Sequence, residues 1–321
     1  MARPTILITR KWPEQAQARA SDTYELRLNE DDRLITTAEL VEAARGCDAL
    51  LPTVTDRLDA AAIDALPASV KIIATASVGY DHIDVAAAQA RGIAVTNTPD
   101  ALTEATAEIA ILLMLGAARG ASSAERMLRE GEWKSWSPTG MLGIEVSGKR
   151  MAILGMGRIG QSVARKARAF GMEIHYHNRH ALDESEAEGA IYHETPDTLF
   201  GVADVLSINC ASTPETRGLV NAARLALLPD DAVLVNTARG DIVDDDALIA
   251  GLKAGRPAAA GLDVFNNEPA FHKGYLDLPN AFLLPHLGSA TLSTRTAMAE
   301  RALDNLDAFF KGDRPGDLVT A

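Results

Sequence analysis

The hydrophobic positions of this chain fall into two alternating series. Over the first hundred residues, short β-branched runs alternate with longer alanine-rich stretches of helical period. ILIT (6–9), YELRL (24–28), ALL (49–51), VKIIATA (70–76) and IAVTN (93–97) predict strands. Residues 12–20, 37–45, 59–66 and 84–91 predict the intervening helices, and Thr36 with Glu39 makes a capping box for the second. Alternation of this kind predicts a parallel sheet with helices on both faces. The pattern then changes to a long helix over 103–119, a second to 129, and the polar segment GEWKSWSPTGMLGIEVSGK. Strands follow at 150–155, 172–177, 190–192, 204–209, 232–237, 258–264 and 281–285. A helix over 292–311 closes the chain, with apolar Ala299, Ala302, Leu303, Leu306 and Phe310 at helical spacing.

Composition narrows the class. At roughly 100–200 residues per domain, 321 residues suggest two domains. There are 31 Lys and Arg against 44 Asp and Glu, a net charge of −13. An acidic surface argues against nucleic acid and anionic membrane as partners. The nearly apolar stretch at 109–118 is too short to span a bilayer, and the apolar run at 6–8 is too short for a signal peptide. Cys47 and Cys210 are the only cysteines, which suits a reducing cytoplasm.

The chemistry sits in the second series. Gly155-Met156-Gly157-Arg158-Ile159-Gly160 is a G-x-G-x-x-G that follows a strand and opens a helix, the context a dinucleotide turn requires. Gly155 permits the turn, Gly157 lets backbone approach a pyrophosphate, and Gly160 lets helix and strand pack closely. The next strand ends at His177 and leads into Asn178-Arg179-His180, with no acid to hold a ribose 2′-OH. Arg179 suits a 2′-phosphate, which favours NADPH, with NADH possible. Arg239, Asp263 with Glu268, and His286 each follow the end of a later strand, where open α/β sheets bind ligands. Singly they read as a surface cation, loop acids and a core histidine. Together they match a carboxylate-gripping Arg and a His held protonated by an acid, ready to give a proton to a carbonyl. No metal is expected. His175, His177 and His193 lack ligand spacing, and Asp244-Asp245-Asp246 suits a helix N-terminus.

ASVGYDHID (76–84), GMGRIG (155–160), VNTARG (235–240), GLDVFNNEP (261–269) and PHLGSAT (285–291) stand in matching order and spacing. Through them the whole chain resembles the D-isomer specific 2-hydroxyacid dehydrogenases. GEWKSW and NRH place it nearest the glyoxylate/hydroxypyruvate reductases, with 2-ketogluconate reductases nearby. The resemblance implies an α/β fold of two Rossmann-like or flavodoxin-like parallel-sheet domains. A substrate-binding domain (1–99 plus 286–321) would carry an inserted NAD(P)-binding domain (100–285), with 120–150 as the arm of a homodimer. It implies a small 2-oxo acid substrate in the cleft between the domains, reduced to a D-2-hydroxy acid. Arg239 would bind its carboxylate and carbonyl, His286 would be the acid/base, and Glu268 would pair with His286. Val78 and Gly79 would offer N–H groups to the carboxylate, and Leu51 would face the substrate. Trp136 would either close a partner's pocket or simply pack in the interface or the core. Arg158 and Ile159 would lie at the pyrophosphate. Thr106, Thr237, Ala238, Asp263, His286 and Gly288 would line the nicotinamide end. Rival readings on the same fold are a cofactor-gated corepressor scaffold, which would carry long disordered tails, and a D-lactate or phosphoglycerate-type dehydrogenase.

Overall fold

The computed structural model describes residues 3–320. It divides into two compact units, one of residues up to Leu102 together with those from Ala290, the other of Thr103–Ser289.

The first unit holds five strands, β1 (Thr5–Ile8), β2 (Glu25–Leu28), β3 (Ala49–Leu51), β4 (Ile72–Ala74) and β5 (Ala94–Thr96), interleaved with α1 (Glu14–Thr23), α2 (Thr37–Ala43), α3 (Ala60–Ala65) and α4 (Val85–Ala90). The strands pair in parallel in the order β2-β1-β3-β4-β5. The capping box forms as the sequence predicts. The Glu39 N–H donates to Thr36 Oγ1 at 3.3 Å, and the Thr36 N–H donates to Glu39 Oε2 at 2.8 Å. The C-terminal helix (Leu292–Lys311) belongs to this unit because its apolar stripe is buried there. Ala299, Ala302, Leu303 and Leu306 pack with Ile6, Ile8 and Trp12. Arg19 adds a polar clasp to Glu300, Asp304 and Asp307 along the same helix.

The second unit begins with α5 (Thr103–Ala118) and α6 (Ala121–Arg129). Seven strands follow: β6 (Arg150–Leu154), β7 (Glu173–His177), β8 (Ile191–Tyr192), β9 (Val205–Ile208), β10 (Val233–Asn236), β11 (Ala259–Leu262) and β12 (Ala281–Leu283). Between them lie α7 (Arg158–Ala169), α8 (Glu184–Ala187), α9 (Pro196–Phe200), α10 (Ala222–Leu225) and α11 (Asp245–Ala254). All pairs are parallel, in the order β12-β11-β10-β9-β6-β7-β8. The order reverses between β6 and β9, and such a switch point is where doubly wound sheets bind nucleotides. Helix α5 buries Ala107, Ala110, Leu113, Met114 and Ala117, while Glu104, Glu108 and Leu112 stay exposed. A Cβ on Gly261 of β11 would stand 2.7 Å from the Leu113 carbonyl, and one on Gly116 would meet the Phe282 ring at 2.4 Å. Burying Leu113 and Met114 in this contact contributes roughly 1.5–3 kcal/mol each.

No single helix among the described residues is long and apolar enough to cross a membrane. Helices α5 and α6 pass that test only as a pair bent by 68°. After α6, residues 130–143 are exposed throughout, including Trp133, Trp136 and Leu142.

Candidate active site

The glycine turn lies at the switch point. Gly155 has φ +94°, and a Cβ there would stand 2.5 Å from the Cys210 backbone nitrogen at the end of β9. Gly160 is equally confined, with the Gly155 carbonyl 2.5 Å from its notional Cβ. Gly157 differs, for a Cβ there meets nothing within 4 Å. Gly157 is also the N-cap of α7 and gives that helix no side-chain cap. Open space in front of uncapped N–H groups fits a pyrophosphate. Arg158 and Ile159 open the helix beside it.

Beyond β7 the structure separates two neighbouring residues. Asn178 turns inward, and its Oδ1 accepts the Met156 N–H at 2.6 Å, tying the end of β7 to the glycine turn. Arg179 is exposed. Its charge reaches Glu215, whose carboxyl is held below the usual range first by the Thr213 hydroxyl and further by Arg179.

Arg239, Asp263 and His286 leave the C-terminal ends of the adjacent strands β10, β11 and β12. Buried Asn236 shapes the Arg239 turn, accepting the Ala238 N–H at 3.0 Å and donating to the Arg239 carbonyl at 2.9 Å. Gly240 then allows a contact no other residue permits. A Cβ on it would stand 1.9 Å from the Phe265 carbonyl carbon and 2.2 Å from the Asn266 nitrogen. This presses the Arg239 turn onto the loop that carries Glu268.

His286 Nδ1 and Glu268 Oε2 are 2.7 Å apart, and the other carboxylate oxygen accepts the Phe265 N–H at 2.7 Å. Burial works to raise the Glu268 carboxyl. The hydrogen bond and charge of His286, the Phe265 N–H and the charge of Arg239 outweigh it and hold the group below the ordinary carboxylate range. About a third of each side chain of the pair is exposed, so a small molecule can reach it. His286 has φ +55°, a left-handed conformation that a non-glycine residue keeps only when its surroundings impose it. Asp263 imposes it. Its carbonyl accepts the His286 N–H at 2.9 Å, and its two carboxylate oxygens accept the Leu287 and Gly288 N–H groups at 2.6 and 2.8 Å. Burial pushes the Asp263 carboxyl up against those N–H bonds. Thr106 donates to the Gly288 carbonyl at 3.0 Å from the first turn of α5. Thr106, Asp263, His286 and Gly288 therefore form one cluster, with buried Thr237 and Ala238 following β10. These bonds keep residues 286–289 in the second unit, so the boundary expected before His286 falls after Ser289.

In the first unit, the carbonyls of Val78 and Gly79 accept from Asn97 Nδ2 and Ser77 Oγ, both at 2.7 Å. Their N–H groups donate to no acceptor among the described residues. Leu51 requires a correction, for it is fully buried beside Ile8, Ile72 and Ala74 and presents no surface to a ligand. Trp136 is 77 % exposed. Among the described residues no group of three or more His, Cys, Asp or Glu has metal-site geometry. Asn236 escaped the sequence reading, although a polar side chain at the end of an apolar strand was its signal.

Comparison with known proteins agrees with this geometry. Residues 111–288 match the D-isomer specific 2-hydroxyacid dehydrogenase family, NAD binding domain. A glycerate dehydrogenase of Hyphomicrobium methylovorum is 45% identical over 97% of this chain and 98% of its own. A glyoxylate reductase of Thermococcus onnurineus is 42% identical over 99% of this chain and 96% of its own. Among solved structures, an NADPH-dependent glyoxylate/hydroxypyruvate reductase of Sinorhizobium meliloti, in complex with NADP and malonate, superposes with TM-score 0.88 at 36% identity. That match covers 99% of this chain and 97% of the other. The chain belongs to the D-isomer specific 2-hydroxyacid dehydrogenase family and is an oxidoreductase of that class.

Proposed function

We propose that the protein reduces hydroxypyruvate to D-glycerate and glyoxylate to the achiral glycolate with NADPH, NADH serving less well. The observation that carries this reading is the 2.7 Å contact of Glu268 with His286, a part-exposed acid–base pair under the charge of Arg239. A nicotinamide dinucleotide held at the 155–160 turn would supply the hydride that the carbonyl carbon takes up. Arg239 grips the carboxylate and polarises the carbonyl with its planar donors. His286 gives the carbonyl oxygen its proton, and Glu268 keeps the imidazole oriented and its positive charge compensated until that moment. The proton is then regained from solvent. Val78 and Gly79 are assigned to the substrate carboxylate through their N–H groups. The names of the relatives support glyoxylate and hydroxypyruvate, the latter paired with glycerate. 2-Ketogluconate is the larger substrate to set against them.

The cofactor preference rests on exposed Arg179 and on Asn178, whose side chain is spent on Met156 rather than offered to a ribose. The exposed segment after α6 is assigned to a homodimer interface, with Trp136 reaching the partner's site. A reducing cytoplasm suits the unpaired Cys47 and Cys210. Steady-state kcat/KM for the three oxo acids with each cofactor tests the reading. A tenfold preference for NADH defeats the Arg179 argument, and near-normal turnover by His286→Ala defeats the proton-transfer role.

A further inference from the structure

The loop that carries Glu268 has few supports of its own. Asn267 takes φ +58°, and the stretch 265–270 contains no helix or strand. One side chain outside the loop holds it from two directions. Asp245, in the first turn of α11, accepts Asn266 Nδ2 on one oxygen at 3.0 Å and the Tyr275 hydroxyl on the other at 2.7 Å. Tyr275 is buried, and its ring lies edge-on to Phe265 at 6.1 Å. Asn266 and Phe265 immediately precede the Glu268 turn, and the Phe265 N–H is itself bonded to Glu268. A carboxylate at a helix N-terminus is favoured by the helix dipole alone, but that does not explain why both oxygens are spent on this loop. The neighbouring Asp246 meets the same dipole, and among the described residues its carboxylate pairs with His272, at 3.3 Å.

We infer that Asp245 is a positioning residue for the acid–base pair. Through Asn266 and Tyr275 it fixes the 265–268 loop so that the Glu268 carboxylate meets His286. This rests on the proton-transfer reading of Glu268 and His286 given above. The other charged groups facing that pair are Arg239 and Asp263, and neither touches Asp245.

The test compares Asp245→Asn, Tyr275→Phe, Asp246→Asn and Glu268→Gln in the full-length protein. Asp245→Asn leaves one acceptor oxygen for two donors, so either the Asn266 bond is lost or the buried Tyr275 hydroxyl loses its acceptor. Three quantities are measured. They are the pH dependence of kcat for oxo-acid reduction, the Tm, and deuterium uptake by the peptide containing Phe265. Asp245→Asn and Tyr275→Phe are expected to lower kcat about three- to tenfold. They should move the alkaline limb of the profile to lower pH, in the direction Glu268→Gln moves it. Uptake at Phe265 should quicken, because its bond to Glu268 opens more often. Asp246→Asn should change neither the limb nor the uptake. The inference is overturned if Asp245→Asn and Tyr275→Phe leave limb and uptake unmoved while Glu268→Gln shifts the limb. It is equally overturned if Asp246→Asn matches Asp245→Asn, for then only helix charge matters. A Glu268→Gln profile identical to the parent defeats the underlying reading of the pair instead.

Discussion

Gly240→Ala adds one methyl group at the tightest backbone contact of the site. The new Cβ would stand 1.9 Å from the Phe265 carbonyl carbon, where ordinary contact begins near 3.4 Å. The Arg239 turn and the Glu268 loop must then part by about 1.5 Å. Both partners are backbone, so no side-chain rotation relieves the clash. The Glu268–His286 contact of 2.7 Å lengthens by a comparable amount and ceases to be a hydrogen bond. Overpacking of this kind costs about 1–3 kcal/mol of stability. In a unit of this size that is a fall in Tm of roughly 2–4 °C per kcal/mol. The catalytic loss should be larger, because displacing an acid–base group by about 1 Å costs roughly a hundredfold. Steady-state kcat with saturating hydroxypyruvate and NADPH measures it, with thermal melts to separate the folding contribution. A Gly240→Ala protein that keeps kcat within threefold of the parent refutes the claim that this approach sets the reactive geometry.

Arg179→Ala should cut kcat/KM with NADPH by about tenfold or more while leaving NADH nearly unchanged, because a charge-assisted contact to one phosphate is lost. Parallel assays with the two cofactors check it. His286→Ala should lower kcat about 10²–10⁴-fold without a matching rise in NADPH KM. On the proposed homodimer reading, Trp136→Ala should shift the protein toward monomer, which sedimentation velocity reads directly. Asp204→Asn removes a carboxylate bonded by the Arg150 side chain through two contacts of 2.9 Å and by its N–H at 2.8 Å. Arg150, working against burial, holds the Asp204 carboxyl below the usual range. A group depressed on folding stabilises above its unfolded value near 3.9, and that stabilisation is lost as pH falls through the folded value. The parent Tm should therefore fall more steeply than that of Asp204→Asn on acidification from about pH 5 to pH 3.

Much of the fold was legible because both sheets are parallel and their central strands are buried on both faces. Their strands therefore read as apolar runs between amphipathic helices. The strand at 70–76 was overread at both ends, since regular strand covers only Ile72–Ala74, although Lys71, Thr75 and Ala76 still bond to neighbouring backbone. The three aspartates stand at a helix N-terminus as their charge suggests, with Asp244 capping the helix through the Ala247 N–H at 3.0 Å. At the site, Arg239, Glu268 and His286 were visible as charged residues after strand ends. Leu51 was misread because a strand end in a parallel sheet looks alike whether it meets ligand or core. Asn236, Asp245 and the left-handed His286 could not be read from periodicity. Their roles depend on which loops lie side by side, and that is fixed by strand order rather than by neighbours in sequence.

The placement of Arg239, Asp263 and His286 on three neighbouring strands has a consequence for divergence. Strand spacing in a sheet is nearly constant at about 4.8 Å, so the intervals between the groups that handle charge are inherited from the sheet itself. Substitutions in the first unit leave those intervals untouched. The groups assigned above to the proposed proton transfer therefore keep their spacing while the chain diverges outside this sheet.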